Sequence, residues 1–261
     1  MTKVFWLAFH TCSEILRQRI LYTVLFFVIV LIGTGSVLDT VAPGQQGVVV
    51  LDVGLGTINL FGVLLAIVMG VSLLYQELDR KTVYNILAKP LGRGQFVTGK
   101  YLGLVAAIAV VLAGMLVALI VAASRVHSGL TALGWMAFWN IFLEISIVSA
   151  IAILFSSFST PYLSGLFTLG IWAVCSMASE IRNFQYIAKL RGYRKLVEKI
   201  FYLLPDLSSL NLKDRVPYEF TPGLSVMPPP GYMLHSTLYA LAWCAGLVLL
   251  AVAVFRQRDF K

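Results

Sequence analysis

Charge is what this sequence has least of. Asp, Glu, Lys and Arg together supply 12% of its 261 residues, while 59% are hydrophobic. A soluble domain carries about 25% charged and about 45–50% apolar residues. No water-soluble globule of this length hides so much apolar surface, so lipid must be the solvent for most of the chain. Alternation is missing too: the apolar runs are continuous rather than apolar at every second residue, which excludes a transmembrane β-barrel. Cysteine is scarce, and Cys12, Cys175 and Cys244 lack metal-ligand spacing, so they read as structural thiols. No cleavable signal peptide is expected. The first apolar run begins only at Ile20, and no small-x-small cleavage site follows it promptly.

What is present is a set of long apolar runs. A hydrocarbon core of about 30 Å needs roughly 20 mostly apolar helical residues. Six segments qualify: Ile20–Leu38, Ile58–Tyr75, Tyr101–Ala123, Leu133–Phe155, Pro161–Ser179 and Leu234–Phe255. The fourth and fifth are split only by "SSFSTP", where Pro161 suits the first turn of a new helix. The expected fold is all-α, one polytopic membrane domain over residues 1–261. It comprises a lead (1–19), a loop after the second span (76–100) and a long connection before the last span (180–233).

Basic residues in short loops mark the cytoplasmic face. With both termini inside, that face collects Lys3, Arg17, Arg19, Arg80, Lys81, Lys89, Arg93, Lys100, Arg256, Arg258 and Lys261. The outer loop Asp39–Thr57 has no Lys or Arg, and Ser124–Thr131 has only Arg125. The connection Glu180–Met233 runs against the pattern with eight, a length at which the rule loses force.

Each connecting feature has a pattern of its own. In the lead, Phe5, Ala8/Phe9, Cys12 and Ile15/Leu16 recur at helical steps with Lys3, His10, Glu14 and Arg17 opposite. Such a helix lies in the membrane surface, with Trp6 at headgroup level; the alternative is a helix packed on the spans. After the second span, Glu77 precedes Lys81 by the four residues that favour a helical ion pair. Val83, Ile86 and Leu87 form an apolar ridge, and Pro90, Gly92 and Gly94 end the helix. Apolar knobs among charges suit docking of a soluble partner, against the plainer reading of a solvated hairpin. In the outer connection, Phe184–Leu204 is amphipathic, with Lys189, Arg194, Lys195 and Lys199 clustered on one side. That side reads either as a helix lying on the outer headgroups or as a basic landing surface for a partner or an anionic substrate. Asp206 or Ser208 is a plausible helix start after Pro205.

One stretch imitates a nucleotide site. Gly94, four residues, Gly99 and Lys100 approach the phosphate-binding loop of ATP hydrolases. That loop lies between a strand and a helix and ends in Ser or Thr to hold magnesium. Here an amphipathic helix precedes it, a membrane span follows, and Tyr101 stands at the Ser/Thr position. The chain is expected to hold no nucleotide and to be no enzyme. Lys100 reads instead as a cation snorkelling to the interface, and Gly54–Gly56 as a turn in an outer loop.

Within the spans, Glu144 stands near the middle of the fourth, with Asn140 one turn earlier on the same face. A carboxylate at mid-bilayer costs about 2.5–3.5 kcal/mol on insertion scales and so faces protein or water. Asn140 and Glu144 are candidates for a substrate pathway or a proton-sensitive site; the competing reading is an interhelical hydrogen bond that fixes packing. Asn59, close to a span end, needs no special role.

Taken together, "FHTCSEILRQRILY", "QELDRKTVYNILAKPLGRGQFVTGKYLG", "YLLPDLSSLNLKD", "FRQRDFK" and the six spans resemble the ABC-2 family of ATP-binding-cassette transporter permeases. The resemblance covers essentially the whole chain. It implies that the loop after the second span is a coupling helix seated in a separate ATPase subunit, with Glu77, Arg80, Lys81, Tyr84, Asn85 and Arg93 on the contact surface. It further implies an N-terminal helix along the inner leaflet of a cytoplasmic (inner) membrane. The implied partners are two ATPase subunits carrying the ATP and Mg, a second permease copy, and membrane lipids; no nucleic acid is expected. Export of a substrate is the implied function. Transmission of force to an extracytoplasmic partner protein is the alternative, and a secondary transporter, which would show internal repeats, a weaker one.

Overall fold

In lipid, a continuous apolar run satisfies its backbone amides within the segment only by forming a helix. The computed structural model describes residues 2–17, 26, 27, 29, 33, 46–79, 93–125, 129–179, 204–220 and 227–257. The helices are α1 (Thr2–Arg17), α2 (Gln46–Asp79), α3 (Arg93–Arg125), α4 (Ala132–Ser156), α5 (Pro161–Ser176) and α6 (Tyr232–Gln257). Two 3-10 segments, Leu207–Leu210 and Lys213–Phe220, lie between α5 and α6. Among the described residues, four helices are long and apolar enough to cross a membrane: α2, α3, α4 and α6. The fifth expected span is the shorter apolar α5. Of the first, Ile20–Leu38, only Phe26, Phe27, Ile29 and Gly33 are described; they are helical, and Phe26 meets Phe61 of α2 edge-on at 5.4 Å.

Helix α4 is the centre of the bundle. Of its apolar window 72% is buried, against 39–44% for α2, α3 and α6. It packs on α2 along one side and on α6 along another, with α5 and α3 completing the ring. Small residues set the α2–α4 distance. A methyl added to Gly70 would stand 2.8 Å from the Ala152 Cβ, closer than carbon atoms approach. Side chains then tie helices together: Ser156 Oγ donates to the Val71 carbonyl (3.1 Å), and Tyr101 Oη to the Ser146 carbonyl (3.3 Å). The outer rows of α6 (Leu234, Leu238, Leu241, Leu249, Leu250) remain exposed, as suits a helix facing acyl chains.

The break between α4 and α5 falls where the sequence puts it. Thr160 is extended, and Pro161 opens α5. Two boundaries differ from expectation. Helix α2 begins at Gln46, so most of the expected outer loop Asp39–Thr57 is helical, and the Gly54–Gly56 turn is absent. Gly54 is instead a packing site, where the Leu119 methyl groups occupy the space a side chain would take. Burial against α3 outweighs the low helix propensity of glycine. Helix α3 likewise starts at Arg93 rather than Tyr101, leaving 80–92 as the connection outside the described residues.

At the end of the bundle where α2, α4 and α6 begin and α5 finishes, residues 204–220 form a cap. Leu207, Leu210, Leu212 and Val216 are buried in the core, and the 3-10 segments pack on α2, α4 and α5. Asp206 supplies the expected helix start: its carboxylate accepts from Ser209 N–H, and its own N–H donates to Tyr239 Oη of α6 at 2.7 Å. Tyr232 Oη donates to the Ser209 carbonyl at 2.6 Å. Losing such a capping side chain costs about 0.5–2 kcal/mol. Asp206→Ala should therefore lower the thermal midpoint of the purified protein modestly, and an unchanged midpoint would show that the tyrosines alone hold the cap.

Candidate functional site

Glu144 lies in α4 twelve residues from either end, about 18 Å of helical rise from each. The residue is 5% exposed. The α2 residue Asn59 donates from Nδ2 to Oε2 at 2.6 Å, and the α5 residue Trp172 donates from Nε1 to Oε1 at 2.8 Å. Each oxygen thus has a neutral donor from a different helix, and three helices converge on one acidic group.

Asn140 is also fully buried, but it does not join this cluster. Its amide donates back to the Met136 carbonyl at 3.0 Å, and its Oδ1 has no hydrogen-bond partner among the described residues. On the buried face of α5, Thr168 donates to the Ser164 carbonyl at 2.7 Å, one turn before Trp172. The Ser164 hydroxyl is buried and has no partner among the described residues. The polar interior is thus a file along α4 and α5: Asn140 and Glu144 on the first, Ser164, Thr168 and Trp172 on the second.

Two of these residues escape a reading of sequence alone. Asn59 looks like a span-end residue only because the second span appears to start at Ile58; with α2 starting at Gln46 it is an interior amide that faces α4. Trp172 attracts no notice within the apolar run Pro161–Ser179. The available signal was chemical: an indole N–H buried in an apolar helix needs an acceptor, and Glu144 is the carboxylate at the centre of the neighbouring span.

The other sequence-level sites fall as follows. Glu77 belongs to the last turn of α2, and Arg93 is the first residue of α3. Arg80, Lys81, Tyr84 and Asn85 lie outside the described residues, as do Lys189, Arg194, Lys195 and Lys199. Lys100 departs from expectation. Rather than snorkelling, it is 3% exposed beneath α1, with Nζ 3.9 Å from Glu14 Oε2 and 5.9 Å from the Phe96 ring centroid. Helix α1 covers it because two glycines of α3 let the helices approach closely. The start of α3 packs on the end of α6: Phe96 and Phe255 stack at 6.1 Å, and Gly94 abuts Val252 and Arg256.

With this geometry in place, comparison with known proteins is informative. The sequence profile of the family described as "ABC-2 family transporter protein" matches residues 6–260. No curated protein matches the chain.

Proposed function

Because the chain belongs to the ABC-2 family of transporter proteins and is a multi-pass membrane permease of that kind, we propose that it couples ATP hydrolysis by separate ATPase subunits to export of a substrate. The family membership carries this reading. The chain itself binds no nucleotide; ATP and Mg belong to two copies of the partner, and a second permease completes the assembly. The segment Glu77–Arg93 is the cytoplasmic coupling element in an inner membrane, with Glu77, Arg80, Lys81, Tyr84, Asn85 and Arg93 on the ATPase-facing surface. Support comes from its flanks: it joins α2 to α3, and the start of α3 packs on the end of α6 through Phe96–Phe255 and Gly94–Val252. Helix α1 lies along the inner leaflet, its Phe5, Trp6 and Phe9 edge exposed.

Within this reading, Asn140 and Glu144 are the polar wall of the pathway, below the outer cap. Closure of the ATPases displaces the coupling helices and tilts the spans as rigid bodies. A second reading draws on the cap. Because residues 204–220 pack on α2, α4 and α5, movement of those helices is delivered to the outer surface, where a partner protein and the basic side chains Lys189, Arg194, Lys195 and Lys199 would meet. ATP turnover that responds to an added lipid favours export; turnover that responds only to an outer protein favours transmission.

The test is co-purification. The tagged chain extracted in native-like lipid should retain an ATPase subunit, and Arg80→Ala combined with Tyr84→Ala should weaken that association about tenfold or more, since Arg and Tyr dominate interface energetics. Retention of the ATPase at wild-type level by the double variant removes 80–92 as the docking element. ATP hydrolysis by the chain alone removes the reading altogether.

A further inference from the structure

We propose that α1 and the first three turns of α3 form one rigid arm, clasped by Glu14 and Lys100 over a glycine seat, so that any nucleotide-driven movement of the start of α3 carries α1 with it along the membrane surface. The nucleotide-driven part of this statement rests on the coupling-loop reading above.

The seat is built by absence of side chains. A Cβ on Gly99 would meet Leu7 atoms at 2.8–3.3 Å, and one on Gly103 would meet the Ala8 carbonyl oxygen and Thr11 Cβ, both at 2.6 Å. Backbone of α1 therefore lies directly on backbone of α3, in the small-xxx-small geometry that lets helices approach closely. Between the two glycines stands Lys100, buried, with Glu14 on one side and the Phe96 ring on the other. Glu14 is 46% exposed, so the pair sits at the rim of the contact, where it fixes the rotation of α1 about the seat. An ammonium ion this buried is held in place by the groups around it, Glu14 among them, because an uncompensated buried charge is costly.

The opposite edge of α1 (Phe5, Trp6 and Phe9) makes little contact with the protein, each residue being 64–73% exposed. The described contacts of α1 are dominated by α3. Helix α3 in turn runs unbroken from Arg93, the residue that follows the 80–92 connection, through Gly99, Lys100 and Gly103. No break in α3 separates Arg93 from the seat. A helix that close-packed has discrete arrangements rather than a sliding continuum, so α1 travels with α3.

The experiment is a reversible lock. In a Cys12→Ser background, Leu7→Cys with Gly99→Cys places two Cβ atoms about 3.3 Å apart, close to the separation of a disulfide. The chain, with its ATPase, is reconstituted in phosphatidylethanolamine–phosphatidylglycerol vesicles. Near-complete cross-linking on mild oxidation is expected, and ATP turnover by the oxidised complex should stay within about twofold of the reduced one. A tenfold loss on oxidation, restored by reductant, means that α1 and α3 part during the cycle and overturns the proposal; so does a failure to cross-link. In the same cysteine pair, Glu14→Lys should cut the cross-linking rate several-fold, and Glu14→Lys with Lys100→Glu should restore it. No restoration by the swapped pair removes the clasp. Cross-linking needs no ATPase, so a lock that forms in a chain that recruits none counts against the coupling reading and not against the arm.

Discussion

Glu144→Leu is expected to remove most of the folded protein from the membrane fraction. The substitution keeps the volume approximately but deletes the acceptor for two donors, the buried Asn59 amide and the partly buried Trp172 indole N–H. A stranded buried donor costs about 1–3 kcal/mol, so the pair costs about 2–6 kcal/mol, a large part of a net stability of about 5–15 kcal/mol. Glu144→Gln behaves differently. Its carbonyl oxygen still accepts from Trp172, and its amide can donate to Asn59 once that side chain turns its oxygen inward. Melting of the Gln variant should therefore match wild type, whereas its ATP-driven activity in the assembled complex should fall at least tenfold if the negative charge is used in the pathway. Full activity in Glu144→Gln would leave the residue as a packing tie alone. A further control is the triple variant Asn59→Leu, Glu144→Leu, Trp172→Phe. It deletes donors and acceptor together and should recover much of the stability lost by the single Leu variant, because removing all partners avoids the stranded groups.

Gly70→Ile should be nearly as damaging, for a steric reason. The added Cβ would meet the Ala152 Cβ at 2.8 Å, with the Leu104 Cδ2 and the Ser149 carbonyl oxygen at 3.5 and 3.7 Å behind it. None of the first contact can give, because a Cβ moves only with its backbone. The helices α2 and α4 must separate, which breaks the same interface that carries the Asn59–Glu144 hydrogen bond. Overpacking of this kind costs about 1–3 kcal/mol, occasionally more. Gly54→Ala is the informative comparison: its Cβ would meet only the flexible end of Leu119, and a rotamer change can relieve it. Thermal midpoints of the two purified variants should differ clearly, Gly70→Ile lower. Equal midpoints would mean that α2 and α4 are less closely packed than described.

Much of this architecture is legible in residues because lipid imposes a simple rule. Continuous apolarity forces helices, and Pro161 and Asp206 announce their starts through chemistry that acts over a few residues. Resemblance to ABC-2 permeases was equally readable, spread over the lead, the connection after the second span and the basic end. The misreadings share one cause: they depend on what a residue meets across the bundle. Gly54 carries no local mark that distinguishes a turn from a packing site, and the difference is Leu119, sixty-five residues away. Lys100 looked like a cation bound for the surface because nothing in its neighbourhood in sequence reveals that α1 will cover it. Asn59 was set aside because the helix begins at Gln46, twelve residues upstream of the Ile58 start that the apolar run suggests, and with it went the partner that explains why Glu144 is tolerated at the bundle centre. The small residues of α3 divide in the same way: Gly103 seats α1, whereas Gly114 has open space around it.

The length of α5 has a consequence for the surrounding bilayer. Sixteen residues rise only about 24 Å, short of a hydrocarbon layer of about 30 Å, while α2 and α3 at 34 and 33 residues overrun it. Among the described residues the helices are therefore of uneven length, and Leu207 and Leu210 are buried beside the short α5. Mismatch costs fractions of a kcal/mol per Å, so acyl-chain length enters the energetics of this corner. Lipid thickness then becomes a control knob for the stability of the segment packed there.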